Sequence, residues 1–359
     1  MQPMSFSRTI APLLAFLMLL PASVTDTRAA KKDKKKSAQE AEDPYAEYVW
    51  PPPPDEARIR LTDIVSGRSD VEDDSKLRRA LLGSGPQGVY DWLKKPFGTA
   101  WDPQGRLLVS DTALHALLRF DRAGRRMDVL GTKGALTLDT PLGLEVATDG
   151  TIYVADVGIK RVLAFDPEGK LEAVYGREQE LQNPTDVTLS PEGNRLYVAD
   201  SKAHRIHVFD RETAELLVSF GRSGTAEGEF NYPTSLDFDA EGMLYVVDQL
   251  NSRVQILTSE GEFVDQFGNL GLEFGNFVRP KDVFIDPHGF ILVSDGGLNN
   301  VQLFDLSLRL LTFIGRAGPR PGQFGIPSGI AVRGDEFAVV DQLNHRVQVF
   351  RFVTPRDSE

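Results

Sequence analysis

Five histidines and a set of recurring aspartates are the residues of this 359-residue chain whose types and spacing could do chemistry. His115, His204 and His345 each follow an aspartate by four residues, at Asp111, Asp200 and Asp341. Lys160 and Asn299 stand at the same offset after Asp156 and Asp295. Zinc needs ligands at about 2 Å in a tetrahedral array. Equivalent positions in repeated units spread around a structure instead of gathering on one ion. These residues therefore read as points on one face, candidates for contact with a partner. His207 in a strand and His288 in a turn read as incidental. A second column holds Asp186, Ser235 and Asp282, with glycine at the matching places 98, 143 and 329. Two carboxylates and a hydroxyl near one point are oxygen ligands of the kind calcium prefers. Asp186 and Asp282 are thus the weak metal candidates, for calcium or zinc, and otherwise no cofactor is expected. The pairs Asp156/Arg161, Asp200/Arg205, Asp248/Arg253 and Asp341/Arg346 recur too often for one active site. They read as turn fixtures, a carboxylate on backbone amides and a guanidinium fork tying neighbours. No catalytic residue is nominated: the chain shows no Ser-His-Asp order, phosphate loop or His-Glu-x-x-His motif.

What must position these side chains is a repeat. Proline, an apolar strand, a glycine turn, a Tyr-Val-x-Asp strand, an Arg-led strand and a closing Phe-Gly or Tyr-Gly recur from Pro141, Pro184 and Pro233, with weaker copies from Pro96, Pro280 and Pro327. The marker aspartates 111, 156, 200, 248, 295 and 341 are 45, 44, 48, 47 and 46 residues apart. Each unit reads as four short alternating strands with glycine at turns that need positive φ. Four-stranded units at this period predict a six-bladed β-propeller of antiparallel blades, an all-β fold in one ring.

The units Asp341-Gln-Leu-Asn-His-Arg346-Val-Gln-Val-Phe350 and Asp248-Gln-Leu-Asn-Ser-Arg253-Val-Gln-Ile, and the linker Gly221-Arg-Ser-Gly-Thr-Ala-Glu-Gly-Glu-Phe230, carry a resemblance. Over residues 96 to 352 the chain resembles the NHL-repeat family and is similar to its exported bacterial six-bladed members. Ala116 and Asn300 depart from the arginine of that pattern. The resemblance implies a binding platform. It also leaves room for a metal-using lyase or lactone hydrolase, with Asp186 and Asp282 as its first ligands, since broadly similar propellers hold a metal in the central channel.

The ends of the chain have separate expectations. Arg8 and the eleven-residue apolar run from Ile10 to Leu20 are too short to span a membrane and fit a signal peptide over 1–29, cleaved after Ala29. Residues 30–54 read as a disordered charged tail ending in a polyproline strut at Pro51–Pro54, and 353–359 as a C-terminal tail. The propeller then occupies 55–352. Its last blade has only three strands before the chain runs out, and the alternating stretch 57–65 is predicted to supply the fourth, removing an exposed sheet edge. Between Gly67 and Pro96 lie 28 residues, where other linkers have 7 to 11. Ser69 and Glu72 resemble a capping box, predicting a helix over 70–82 that either packs flat or docks a partner.

Composition limits the rest. With 52 acidic and 40 basic residues the net charge is −12, the wrong sign for holding nucleic acid through phosphates. No cysteine is present, which excludes disulfides, cysteine zinc sites, thiol nucleophiles, covalent haem attachment and a lipid-modified N-terminal cysteine. The expectation is an exported monomeric ring, periplasmic or secreted, without a membrane span after cleavage. It would act as a non-enzymatic scaffold for a protein, peptide or glycan partner of the cell envelope.

Overall fold

The computed structural model describes residues 43–72, 88–177 and 180–353. Six antiparallel sheets follow the six repeats, five of them read outward in sequence order and the sixth completed on its outside by strands from earlier in the chain. Blade 4 is typical, with strands Pro233–Phe238, Leu244–Asp248, Arg253–Leu257 and Phe263–Phe267. Its middle two strands are buried along their whole length. That burial explains the continuous apolar runs such as Leu244-Tyr-Val-Val, because a strand covered on both faces has no polar side to alternate with. Proline opens each innermost strand beside the marker aspartate, as in Pro233 opposite Asp248, and a bulge follows at once.

Six hydrophobic clusters fill the spaces between adjacent blades. Leu236, Leu244 and Val246 of blade 4 meet Tyr197, Ile206 and Val208 of blade 3, for instance. A further cluster joins Val340 and Val349 of blade 6 to Leu107 and Leu118 of blade 1. Ser328 Oγ donates to Phe97 O at 2.7 Å across the same seam, so the ring is closed by both packing and hydrogen bonds.

The N-terminal strand supplies the missing edge as expected. Ile59–Val65 pairs antiparallel with Arg346–Phe352, placing Leu61 opposite Phe350 and Val65 opposite Val347. The preceding segment corrects the strut. Val49–Trp50 forms a fifth strand, pairing Val49 with Arg60 and Trp50 with Ile59. Pro51–Pro54 therefore turn the chain back within a hairpin instead of extending it. Trp50 packs edge-on against Phe350 at 5.6 Å, and Gly322, at φ +70°, leaves the space its ring occupies. Local proline stiffness yields here to the apolar surface that Trp50 and Tyr48 cover. The ring and this hairpin form one unit from Tyr45 onward.

After Gly67 the chain makes a 3-10 turn, Arg68–Asp70. Asp70 Oδ2, not Ser69, caps it, accepting from Ser66 N at 2.6 Å and Gly67 N at 2.9 Å. Glu72 accepts from Arg68 Nη1 at 2.6 Å and from Met127 N at 3.2 Å, tying the segment to blade 1. The capping box is thus not formed, and the predicted helix from residue 73 on lies outside the described residues, as do the signal segment, the basic leader and the last six residues. Among the described residues no helix is long and apolar enough to cross a membrane.

Candidate functional site

The six innermost strands line a central channel with a cavity of about 200 Å³. The column that contains Asp186, Ser235 and Asp282 faces this space near the mouth where the linkers arrive. Each of the three accepts a hydrogen bond from the backbone of the next blade. Leu236 N donates to Asp186 Oδ2 at 3.2 Å, Val283 N to Ser235 Oγ at 3.2 Å, and Ile330 N to Asp282 Oδ2 at 2.6 Å. Ser235 Oγ also donates to Asp282 Oδ1. On the other half of the ring the glycines allow close approach. A Cβ on Gly143 would fall on the Asp186 carboxylate, and one on Gly329 would lie 2.7 Å from Gly98 Cα. The column therefore laces blade to blade, by carboxylate and hydroxyl on one side and by backbone contact on the other.

Further along the channel stand Glu145 and Asp237. Ile285 N donates to Asp237 Oδ2 at 2.7 Å, again from the next blade. Enclosure by protein pushes all four carboxyls up. Glu145 rises to about 8, with repulsion from Asp237 adding to the desolvation, and Asp237 itself rises to about 7. Desolvation lifts Asp282 to about 6, and desolvation followed by the charge of Asp282 lifts Asp186 well above the usual carboxylate range. The lining is thus acidic by composition but holds part of its protons near neutrality. Sequence reasoning missed Glu145 and Asp237, which stand two places after Gly143 and Ser235 in a column whose other members, Ala100, Thr188, Phe284 and Ala331, carry no charge.

The marker aspartates are fully buried in all six blades. Asp111 accepts from the amides of Lys94, Lys95, Ala113 and Leu114 at 2.6–3.1 Å, fastening the incoming linker to the turn beyond its strand. The paired arginines divide into two kinds. Arg253 Nε donates to Asp248 Oδ2, and Arg346 Nε to Asp341 Oδ2, both at 2.8 Å. Arg161 instead donates to Lys160 O at 2.7 Å, and Arg205 is exposed. Among the four pairs, the arginines of blades 4 and 6 bond to their aspartates and those of blades 2 and 3 do not.

The residues four places after the markers sit where the chain turns into its third strand. His115, Lys160, His204, Asn299 and His345 all take left-handed φ of 53° to 56°. Several reach the neighbouring linker: His204 Nδ1 lies 3.2 Å from Phe230 O, His345 Nδ1 2.5 Å from Lys94 O, and Ile326 N donates to Asn299 Oδ1 at 2.9 Å. They occupy one face, one to a blade, and do not converge. Among the described residues no three His, Cys, Asp or Glu side chains come together as a metal-ligand group.

Sequence reasoning also missed three glutamines. Gln255, Gln302 and Gln348 are fully buried in third strands and grip the incoming linkers. Gly228, Gly275 and Gly322 N donate to their Oε1 atoms at 2.7–2.9 Å, while their Nε2 atoms donate to Glu229, Asn276 and Gln323 O at 2.8–2.9 Å. Blade 3 has His207 at this place, bonded through Nδ1 to Ser219 Oγ at 2.7 Å. Burial lowers its basicity against the pull of Asp200. On the linkers so held, Leu270, Leu272 and Phe274 are exposed, as are Leu250 and Leu343 on the marker turns. Phe274 stacks on Phe313 with ring centroids 3.9 Å apart.

Comparison with known proteins follows the same repeats. The model of the NHL repeat matches residues 181–209, in blade 3. NHL repeat-containing protein 2 of Homo sapiens is 34% identical over 98 residues, 25% of this chain and 14% of that protein. NHL repeat-containing protein 3 of Homo sapiens is 39% identical over 77 residues, 21% of each. The matches thus span only about a seventh to a fifth of these relatives. Among solved structures, virginiamycin B lyase from Staphylococcus aureus superposes with a TM-score of 0.52 at 13% identity, covering 72% of this chain and 80% of that one. Kuenenia stuttgartiensis hydrazine synthase gives 0.53 at 16% identity, covering 75% of this chain and 99% of that one. At such identity these likenesses concern the fold.

Proposed function

We propose that this chain, which belongs to the NHL-repeat β-propellers, is a non-enzymatic scaffold of the cell envelope that binds a protein, peptide or glycan on its linker-bearing face. NHL propellers commonly mediate protein interactions. The observation that carries the reading is the exposure of Leu250, Leu270, Leu272, Phe274 and Leu343 on the turns and linkers of blades 4 to 6. Loops need not spend large apolar side chains in water to fold, so their collection on one face suits a partner's surface. The buried glutamine and arginine contacts beneath hold that face rigid, which lowers the ordering cost of binding. His115, Lys160, His204, Asn299 and His345 add polar groups on the same face.

The test is capture of cross-linked partners from envelope extracts by the full chain and by a Leu270→Ser/Leu272→Ser/Phe274→Ser variant. The variant should keep its melting temperature and lose the captured species. Equal capture by both proteins would remove this face from the reading.

The alternative, a metal-dependent lyase or lactone hydrolase in the channel, would use Asp186 and Asp282. Three of their four oxygens accept from Leu236 N, Ile330 N and Ser235 Oγ, so a metal would share or displace these bonds. Adding calcium or zinc to chelated protein should leave the melting temperature unchanged; a rise of several degrees would revive the alternative.

A further inference from the structure

The linkers entering blades 4, 5 and 6 share one frame. In each, a phenylalanine bridges back to the start of its linker, Phe230 to Ser223, Phe277 to Leu270 and Phe324 to Ala317. A buried glutamine holds the middle glycine of all three. In blades 4 and 6 a guanidinium fills this frame. Arg253 Nη2 donates to Ala226 O and Glu229 O at 2.9 and 3.0 Å, and Arg346 Nη2 to Arg320 O and Gln323 O at 2.8 and 2.9 Å. Asn251 and Asn344 Nδ2 add a bond each to Gly224 O and Gly318 O, both at 2.9 Å.

Blade 5 keeps the acceptors and lacks both donors. Leu298 stands at the place of Asn251 and Asn344, and Asn300 at that of Arg253 and Arg346. Glu273 O and Asn276 O, which match the carbonyls that the arginines hold, accept from Asn276 N at 3.0 Å and Gln302 Nε2 at 2.9 Å and from no guanidinium. Asp295 is fully buried and accepts from backbone amides alone, whereas Asp248 and Asp341 each meet an arginine. Asn300 is 3% exposed, and among the described residues its buried Oδ1 has no hydrogen-bond partner. Such an orphaned acceptor costs stability unless something supplies the donor. The wall differs as well. Gln266 Oε1 accepts from Arg253 Nη1 at 2.7 Å, and blade 5 has Phe313 at that place, stacked on the exposed Phe274. Aromatic faces attract a cation that enters from outside.

We infer that blade 5 is a receptor for an arginine side chain of the partner, whose guanidinium takes the place that Arg253 and Arg346 fill in the flanking blades. The inference rests on the reading of the linker face as the binding face and names the chemistry of what docks there. Two backbone carbonyls and Asn300 Oδ1 offer lone pairs to a planar donor fork, an arrangement that suits arginine better than the compact ammonium of lysine. The net charge of −12 favours a cationic partner, and Leu270 and Leu272 on the same linker offer apolar surface to the arginine stem and its neighbours.

The experiment titrates the full chain, carrying isotope-labelled glycine, with N-acetylarginine amide and with the uncharged N-acetylcitrulline amide, and follows the glycine amides by NMR. The arginine compound should shift Gly271 and Gly275 saturably. It should leave Gly224, Gly228, Gly318 and Gly322 in place, because an internal arginine already occupies those frames. Asn300→Arg should supply the guanidinium from within and abolish the shifts. No saturable shift at Gly275 in the unsubstituted chain, or an equal one with the citrulline compound, would overturn the inference. Capture from envelope extracts separates it from the reading on which it rests. A partner lost by Leu270→Ser/Leu272→Ser/Phe274→Ser but retained by Asn300→Arg would keep the face and remove the arginine. Loss with both variants supports the two together.

Discussion

Asp341 and Arg346 meet at 2.8 Å with side chains 0% and 10% exposed, whereas Arg205 follows its aspartate at the same spacing and stands in solvent. The two arginines should therefore answer differently to one substitution. Arg346→Met leaves a buried carboxylate short of a partner and should cost about 3 kcal/mol. Arg205→Met should stay within about 0.5 kcal/mol, as for other exposed positions. Urea unfolding of both variants decides it, and equal losses would mean that the recurring spacing, not the contact, sets the energy. The channel carboxyls give a second prediction at this scale. Glu145, Asp237 and Asp282 have folded values of about 8, 7 and 6, above their ordinary values of 4.5, 3.8 and 3.8. The folded state thus binds protons more tightly than the unfolded one. Their contribution is complete below about pH 4 and is lost as pH rises through about 8. Lys281 acts in the opposite sense, but only between about 8 and 10.5. Glu145→Gln and Asp237→Asn should each flatten the decline in stability between pH 5 and 8, read from melts in a pH series; a decline of unchanged slope would show that these groups do not cause it.

At the scale of elements, strand pairing overrides what short segments prefer alone. The stretch Ile59–Val65 was legible because blade 6 has three strands of its own and an alternating segment of the right length stood unassigned. Pro51–Pro54 misled because four prolines signal extension, and the sequence nearby does not announce that Val49–Trp50 pairs back on that same closing strand. The third-strand glutamines were illegible for a related reason. A polar residue in a strand gives no sign that a linker glycine in the adjoining loop will need its carbonyl oxygen. Repeats expose what every blade requires, while contacts made between blades are written in no single repeat. Two variants separate the hairpin's two strands. Deleting 45–58 removes the Trp50 packing but leaves the closing strand, and Trp50→Ala alone should cost about 2 kcal/mol, below the ~3–5 of a fully buried aromatic. Deleting 45–65 also exposes Phe350 and the edge of Arg346–Phe352 and should lower the melting temperature far more. Equal melts for the two deletions would mean that the pairing of residues 59–65 contributes little to closure.

Across the whole molecule the ring is uneven, and the unevenness has a mechanical consequence. Gln255, Gln302 and Gln348 anchor the linkers entering blades 4, 5 and 6. Asn251, Arg253, Asn344 and Arg346 add bonds to the first and last of these. Blades 1 and 2 have Leu118 and Leu163 at the glutamine position, so their linkers lack that buried amide. Each anchored linker amide donates to an oxygen that water does not reach, and its exchange requires the whole buried cluster to open. Hydrogen exchange in the folded protein should therefore be slow at Gly228, Gly275 and Gly322 and faster along residues 132–137. Replacing Gln302 by leucine should speed exchange at Gly275 while leaving Gly228 and Gly322 protected, because each cluster is confined to its own linker and blade. Uniform protection around the ring, or release of all three glycines together, would show instead that the face moves as one body and that its stiffness comes from closure alone. The local outcome would place the rigid half of the ring under Leu270, Leu272 and Phe274, where a partner would gain most from a surface that is ordered before it arrives.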